Sequence, residues 1–195
     1  MCGRFSGKLG PLACNPHVDN NLFPEEKTTL MQLYIVRHGI AIDREDPNCP
    51  PEAERYLTED GIERTKQVAK GIATLGVHAD LMISSPYVRA TQTAVIFAGA
   101  LDYPEQKIRQ SESLLPGAPP VAFLRELARE KDASSVFCFG HAPHVDGLLT
   151  AAVGAQRHIT SMKKAGVAFV ELKRVSPPNG QLVWLVTPKL FRKAK

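Results

Sequence analysis

Two kinds of hydrophobic periodicity alternate along the chain from residue 33 onward. Apolar runs at 33–36, 80–84 and 136–139 are short and typical of strands, and the segments at 58–75, 85–97 and 120–131 space their apolar residues as helices do. Two further apolar runs, 167–172 and 182–186, flank the turn-rich residues 176–180 and predict a hairpin at a sheet edge. This order predicts a single α/β domain with a mostly parallel central sheet, helices on both faces and an antiparallel edge hairpin.

Local signals place several of the helix boundaries. Thr58 is a predicted N-cap, because Glu59 and Asp60 after it favour the positive end of a helix dipole, and Gly76 is the predicted stop. Ser85 and Pro86 are predicted as the N-cap and first residue of the next helix. That helix would carry Arg89 in its first turn.

The first 30 residues differ from the rest, because glycine, proline and asparagine interrupt every apolar run there. We therefore expect residues 1–30 to be a poorly ordered or dispensable N-terminal extension and residues 31–195 to be the folded domain. A chain of 195 residues with 44% apolar content has enough material for one good core.

Composition excludes several classes of function. The net charge is +4, but acidic and basic residues are interspersed, so nucleic-acid binding is not indicated. No apolar stretch reaches the roughly 20 residues that span a bilayer, and the N-terminus lacks the apolar region of a signal peptide. The four cysteines have no metal-site or paired spacing, and Cys138 falls inside a strand. A cytoplasmic protein that does not bind membranes is expected.

Candidate chemistry lies where three predicted strands end. The first strand runs into Arg37-His38-Gly39, the second into Ser84-Ser85-Pro86 with Arg89 shortly after, and the third into Gly140-His141. The carboxyl ends of parallel strands meet at one edge of a sheet, and ligands bind there. Two arginines and two histidines at that edge predict a phosphate site.

These motifs, in this order, resemble the histidine phosphatase superfamily. Its short phosphohistidine phosphatases of the SixA type begin with Met-Gln, a short apolar run and Arg-His-Gly, and the chain has the same pattern at Met31–Gly39. The resemblance runs from about Met31 to the C-terminal region. It implies a two-step phosphatase in which a histidine carries the phosphoryl group, with no cofactor and no metal.

The residue types suit that chemistry. Arg37 and Arg89 would bind the phosphoryl group from two sides, because a guanidinium donates paired hydrogen bonds and stays charged. His38 would attack as neutral imidazole, with its second nitrogen donating to a fixed acceptor. His141 would be a third donor, most useful when protonated. Gly39 would allow close backbone approach.

The general acid is harder to assign. Relatives generally carry a Glu directly before a Leu-x-Pro segment, whereas this chain has Ser113 there and Glu112 one position earlier, so Glu112 is the candidate acid or base. His144 is expected at the rim of the site or exposed. Ser84 and Ser85 are interpreted as turn and cap residues.

The spacing of the motifs leaves little chain for a covering cap, which favours a phosphate presented on a protein surface. We therefore expect a phosphatase acting on a phosphohistidine-bearing protein. The alternatives are a small-molecule phosphomonoesterase or phosphoglycerate mutase-like enzyme, and a catalytically silent phosphate-binding module.

Overall fold

The computed structural model describes residues 30–191. Six strands and four α-helices alternate along this part of the chain. The strands are β1 Met31–Arg37, β2 Leu81–Ser84, β3 Arg109–Gln110, β4 Ser135–Gly140, β5 Val167–Arg174 and β6 Asn179–Val186. The helices are α1 Glu59–Ala73, α2 Val88–Ala100, α3 Pro120–Leu127 and α4 His144–Ala152, with short 3-10 turns at Glu105–Lys107, Glu112–Leu114 and Pro188–Phe191.

The strands form one mixed sheet in the order β3-β2-β4-β1-β5-β6. The first four in this order are parallel, and β5 and β6 continue the sheet as an antiparallel hairpin. The register brings the functional strand ends together, because Arg37 pairs with Gly140 and Ser84 pairs with Phe139. The predicted fold class is confirmed.

Both faces of the sheet are buried, as the alternation within β1 requires. Leu33 and Ile35 point into a core with α3 and α4, whereas Tyr34 and Val36 point into a second core with α1 and α2. The Tyr34 ring stacks 4.2 Å from the Phe137 ring, which joins the two central strands on that face. The central strands are thus fixed from both sides, and so are the residues at their ends.

Helix α1 begins as predicted. Gly61 donates its backbone N–H to Thr58 Oγ1 at 3.0 Å, which confirms the N-cap. The helix ends at Ala73, and the chain then turns through Gly76, which has a left-handed φ of 70°.

Two helix boundaries were predicted wrongly. Helix α2 begins at Val88 with Tyr87 as its N-cap, two residues after the predicted start. The Ser85 hydroxyl lies ahead of the helix, 2.8 Å from His141 Nε2, and accepts the N–H of Tyr87 at 3.4 Å. Helix α3 ends at Leu127 and not at 131, since the polar residues that follow cannot extend its apolar face. The prediction for residues 1–30 lies, except for Leu30, outside the described residues.

Between residues 30 and 191, no helix has the length and apolar character that crossing a membrane would require.

The approach of α1 to the segment after β1 depends on Gly61. A Cβ at this position would lie 2.0 Å from the backbone oxygen of Ile40, so that backbone would have to move. We expect Gly61→Ala to lower the free energy of unfolding by about 3 kcal/mol and to displace the neighbouring His38. Urea denaturation would measure this loss.

Gly99 supplies the matched control for that substitution. It also lies inside a helix, but a Cβ there would meet no atom within 4 Å. Gly99→Ala should therefore raise the free energy of unfolding by about 0.5–1 kcal/mol through helix propensity. Equal effects of the two substitutions would contradict the proposed role of the close contact.

Candidate active site

A pocket of about 800 Å³ lies at the carboxyl ends of the parallel strands. All five predicted site residues line it, namely Arg37, His38, Arg89, Glu112 and His141. The ends of β1 and β4 and the first turn of α2 position four of them, and the 3-10 turn at Glu112–Leu114 contributes the fifth. The sequence analysis did not place the other charged side chains of the pocket wall.

His38 is held in a defined orientation by its own backbone neighbour. Its Nδ1 lies 2.7 Å from the carbonyl oxygen of Gly39, and this acceptor selects the tautomer in which Nδ1 carries the proton. The lone pair is then on Nε2, at the other side of the ring, where it accepts a hydrogen bond from Arg89 Nε at 3.3 Å. Gly39 itself donates its N–H to Thr93 Oγ1 at 3.0 Å, which ties the acceptor to α2.

The imidazole of His38 is strongly biased toward the neutral form. Burial lowers its pKa from 6.5 to about 3, the hydrogen bond to Gly39 opposes that shift, and the charges of Arg89, Arg37 and Lys164 lower the pKa further. A neutral imidazole with a free Nε2 lone pair is the form that acts as a nucleophile.

The guanidinium of Arg89 is buried and bonded on three sides. Its Nε donates toward His38, Nη1 donates to the backbone oxygen of Glu52 at 2.6 Å, and Nη2 donates to Glu52 Oε1 at 2.8 Å. The Tyr87 ring lies 5.0 Å from the guanidinium carbon and packs against it. Arg89 is therefore fixed in place before any ligand arrives.

Glu52 connects three arginines at the pocket wall. Its carboxylate accepts hydrogen bonds from Arg44, Arg55 and Arg89. The hydrogen bond from Arg44 is the main reason that the pKa of Glu52 falls to about 2, and Arg55 and Arg89 add to it. Glu52 is accordingly ionised at neutral pH and has no proton to donate.

The backbone of the segment that precedes β5 binds the guanidinium of Arg37. Its Nη1 donates to the carbonyl oxygen of Met162 at 2.5 Å, and the N–H of Met162 donates to Asp146 Oδ1 at 2.7 Å. Asp146 is a buried carboxylate on α4, so it orders the backbone that holds the arginine. Arg37 Nε is buried and has no acceptor among the described residues.

His141 lies against the same pocket as His38, with 5.0 Å between the ring centroids. Its Nε2 is 2.8 Å from Ser85 Oγ, and the Tyr87 ring meets it edge-on at 5.2 Å. Burial, followed by the neighbouring His38 and Arg89, lowers the pKa of His141 to about 2. The ring is therefore biased toward the neutral form in the free protein, and not toward the protonated form in which His141 would be most useful as a donor.

His144 was expected at the rim of the site or exposed, and that expectation is wrong. The side chain is only 3% exposed, and burial lowers the pKa of its imidazole. It packs near Gly140 on the inner side of α4.

Between residues 30 and 191, no group of three or more histidine, cysteine, aspartate or glutamate side chains has the geometry of a metal site.

Glu112 lies on the pocket wall and is exposed, at the start of the 3-10 turn Glu112–Leu114.

Sequence reasoning missed three charged residues that shape the site, Glu52, Asp146 and Lys164. Glu52 and Lys164 lie in irregular segments, where no periodicity indicated which way a side chain points, and Asp146 lies in the first turn of α4.

The two site histidines define the expected pH response. Their folded-state pKa values of about 3 and about 2 lie below the ordinary 6.5. As pH falls below 6.5 the unfolded chain takes up protons that the folded chain does not, so the free energy of unfolding should fall with decreasing pH. Denaturation by urea at about pH 7 and about pH 5 would measure the difference.

Imidazole NMR would test the same prediction directly. We expect the His38 ring to show the neutral form, protonated on Nδ1, down to about pH 5. The His38→Ala variant should lose a part of the pH dependence of stability, because one of the linked groups is gone. A His38 ring that titrates near 6.5 would contradict the assignment.

Comparison with known proteins agrees with this fold and arrangement. Residues 33–114 match the family described as Histidine phosphatase superfamily (branch 1). The chain is 39% identical over 140 residues to an uncharacterised protein of Picosynechococcus sp., covering 70% of the chain and 82% of that relative. It is 27% identical to the phosphohistidine phosphatase SixA of Escherichia coli over 173 residues, covering 85% of the chain and 99% of that relative.

Among solved structures, the protein histidine phosphatase SixA complexed with tungstate superposes with a TM-score of 0.73. The two chains are 25% identical, and the match covers 83% of this chain and 100% of the SixA chain. The chain therefore belongs to the histidine phosphatase superfamily and is a phosphatase. Within that superfamily it falls in the SixA-type branch, whose members it matches over nearly their whole length.

Proposed function

We propose that this protein removes the phosphoryl group from phosphohistidine on a protein, through a covalent intermediate on His38 Nε2. The observation that carries the proposal is the hydrogen-bond pattern of His38. With Nδ1 directed at Gly39 O and Nε2 directed at Arg89, the ring presents one lone pair to the place where arginines converge.

The first step is an in-line displacement at phosphorus. The Nε2 lone pair of His38 forms a bond to phosphorus as the nitrogen–phosphorus bond of the substrate breaks, and the leaving imidazole takes a proton by way of Glu112. Arg37, Arg89 and His141 line the pocket where the negative oxygens would lie, the two arginines as positive charges and His141 as a neutral ring. Fixed positive charge of this kind lowers the barrier to phosphoryl transfer.

In the second step water attacks the phosphorus of phosphorylated His38. The new oxygen–phosphorus bond forms, the bond to Nε2 breaks and its electron pair returns to His38, the water gives a proton to Glu112, and inorganic phosphate leaves. Both steps break a nitrogen–phosphorus bond to an imidazole, so the chemistry is nearly symmetric. An imidazole leaves without the strong acid that an alkoxide requires, and this fits a site whose Glu52 is permanently ionised.

Glu112 is the proposed acid or base of these steps. It lies on the pocket wall, and its carboxylate is exposed, so it can exchange protons with water. The similarity to SixA proteins supports the phosphohistidine substrate, because the relatives of that name are phosphohistidine and protein histidine phosphatases.

A panel of substrates tests the proposal. The protein is incubated with a histidine-phosphorylated protein, a phosphoserine peptide, 3-phosphoglycerate and an aryl phosphate, and phosphate release is measured for each. We expect the highest kcat/KM for the first. Preference for 3-phosphoglycerate or the aryl phosphate would establish the small-molecule alternative, and binding without release would establish the silent phosphate-binding module.

A further inference from the structure

A second groove lies beside the catalytic pocket, on the other side of Arg37. Its volume is about 530 Å³, and Arg37 and Lys164 line both the groove and the pocket. Ile40, Ala165 and Pro188 supply apolar surface inside it. The groove is therefore continuous with the place where the phosphoryl group reacts, and part of its surface suits an apolar side chain.

The rim of the groove is positively charged. Arg64, Lys163, Lys164 and Lys189 line it, and no acidic residue of the described chain does. Arg64 forms an ion pair with Asp60 at 2.7 Å, whereas none of the three lysines forms an ion pair with any residue between 30 and 191. Three exposed positive charges with no partner on one rim favour a negatively charged ligand.

The backbone that carries Lys163 and Lys164 is held in one conformation. The N–H of Ala165 lies 3.0 Å from the carbonyl oxygens of both Arg37 and His38, and Gly166 N donates to Lys163 O at 2.8 Å. Ala165 has a left-handed φ of 58°, which an alanine adopts only when its surroundings require it. The two lysines are thus presented from a turn that is bonded to the nucleophile's own backbone.

We propose that this groove binds an acidic segment of the phosphorylated protein substrate, next to the phosphohistidine. The inference rests on the proposed function, since it names the kind of protein surface that the same site would accept. A glutamate- or aspartate-rich segment with one apolar residue matches both the rim and the apolar surface. A small phosphate ester could be held entirely by the catalytic pocket and would leave the groove empty.

The expected preference is moderate, because exposed ion pairs are individually weak. Several lysines acting on one segment should give a roughly tenfold advantage in kcat/KM at low salt. The advantage should shrink as ionic strength rises, since salt screens exposed charges.

Two synthetic phosphohistidine peptides test the proposal. They are identical except that one has glutamates and the other lysines on both sides of the phosphohistidine, and the ratio of their kcat/KM values is measured. For the unaltered protein we expect a ratio of roughly ten in favour of the acidic peptide. The double variant Lys163→Glu/Lys189→Glu should reduce the ratio to one or reverse it.

Lys131→Glu is the matched control, because this exposed lysine follows α3 at the opposite end of the sheet from the pocket. It should keep the ratio of the unaltered protein. Equal kcat/KM for the two peptides in the unaltered protein, or an unchanged ratio in the double variant, would overturn the proposal. Thermal melting of each variant shows whether it is folded.

The failure of the proposed function would look different. In that case neither peptide releases phosphate, and the groove is tested by fluorescence anisotropy with an acidic peptide carrying a stable phosphohistidine analogue. Binding that weakens in the Lys163→Glu/Lys189→Glu variant would support the groove, and binding that does not weaken would overturn it. A last outcome concerns residues 1–30. If only a chain beginning at Met31 prefers the acidic peptide, residues 1–30 would be the segment that occupies the groove in the full chain, and the proposal would likewise be overturned.

Discussion

Replacing His38 with alanine should reduce phosphate release by at least roughly 10⁴-fold, the largest effect expected of any single substitution in this protein. The variant retains the arginines proposed to bind the phosphoryl group, but it lacks the atom proposed to form the covalent bond. Its affinity for inorganic phosphate should therefore change little, and the loss should appear in kcat.

The covalent step gives a second readout for this substitution. A brief reaction with a radiolabelled phosphohistidine substrate, stopped with alkali, should leave label on the unaltered protein, because phosphohistidine survives alkali and is lost in acid. The His38→Ala variant should carry none. Label that persists in the variant would place the nucleophile elsewhere.

His78 provides the control, because its side chain is 71% exposed and it lies outside the pocket. His78→Ala should keep both turnover and labelling. A folded His38→Ala protein with normal thermal melting and undiminished turnover would exclude His38 as the group that carries phosphate.

The strand ends could be predicted from the sequence because they follow from local patterns and one geometric rule. Arg37 and His141 each follow a short apolar run, and parallel strands align their carboxyl ends. The register does align those ends, with Arg37 opposite Gly140. No distant contact had to be known in order to group these residues.

The remaining site residues depend on contacts that local patterns do not contain. Glu52 approaches Arg89 from an irregular segment, and Asp146 acts through the backbone of Met162. The error at the start of α2 has the same origin. Ser85 before Pro86 is a good capping signal, but its hydroxyl lies against His141, a residue 56 positions away.

His144 illustrates how packing decides a role that spacing leaves open. It lies three residues after His141, in the first turn of α4, where either a rim or an interior position fits the pattern. The interior position results because this side of α4 packs against the end of β4, near Gly140.

Replacing Arg89 with alanine should lower kcat/KM by roughly 10³-fold, the second largest effect. In the free protein Arg89 Nε faces the lone pair of His38 Nε2, and the bond to phosphorus must form along that line. The same N–H would turn to a phosphoryl oxygen as the group is transferred. Its charge also helps to keep the His38 pKa low, so the alanine variant loses two contributions.

Arg89→Lys separates charge from geometry. A lysine keeps the positive charge, but one ammonium cannot bond the Glu52 backbone, the Glu52 carboxylate and the phosphoryl group together, as the guanidinium fork does. We expect the lysine variant to recover only a small part of the lost kcat/KM. Full recovery would show that Arg89 acts as a simple charge.

Arg109→Ala is the matched control, because this arginine also forms a two-bond pair with a glutamate, Glu130, but lies outside the pocket. It should leave kcat/KM near that of the unaltered protein. Glu52→Gln tests the proposed phosphate contact further, since the Glu52 carboxylate lies 2.8 Å from Arg89 Nη2 and would compete with a phosphoryl group for that charge. If Arg89 binds the phosphoryl oxygens directly, Glu52→Gln removes a competing charge and should tighten the binding of inorganic phosphate. Arg89→Ala should weaken that binding. Titration calorimetry of the two variants would show whether their phosphate affinities change in these opposite directions.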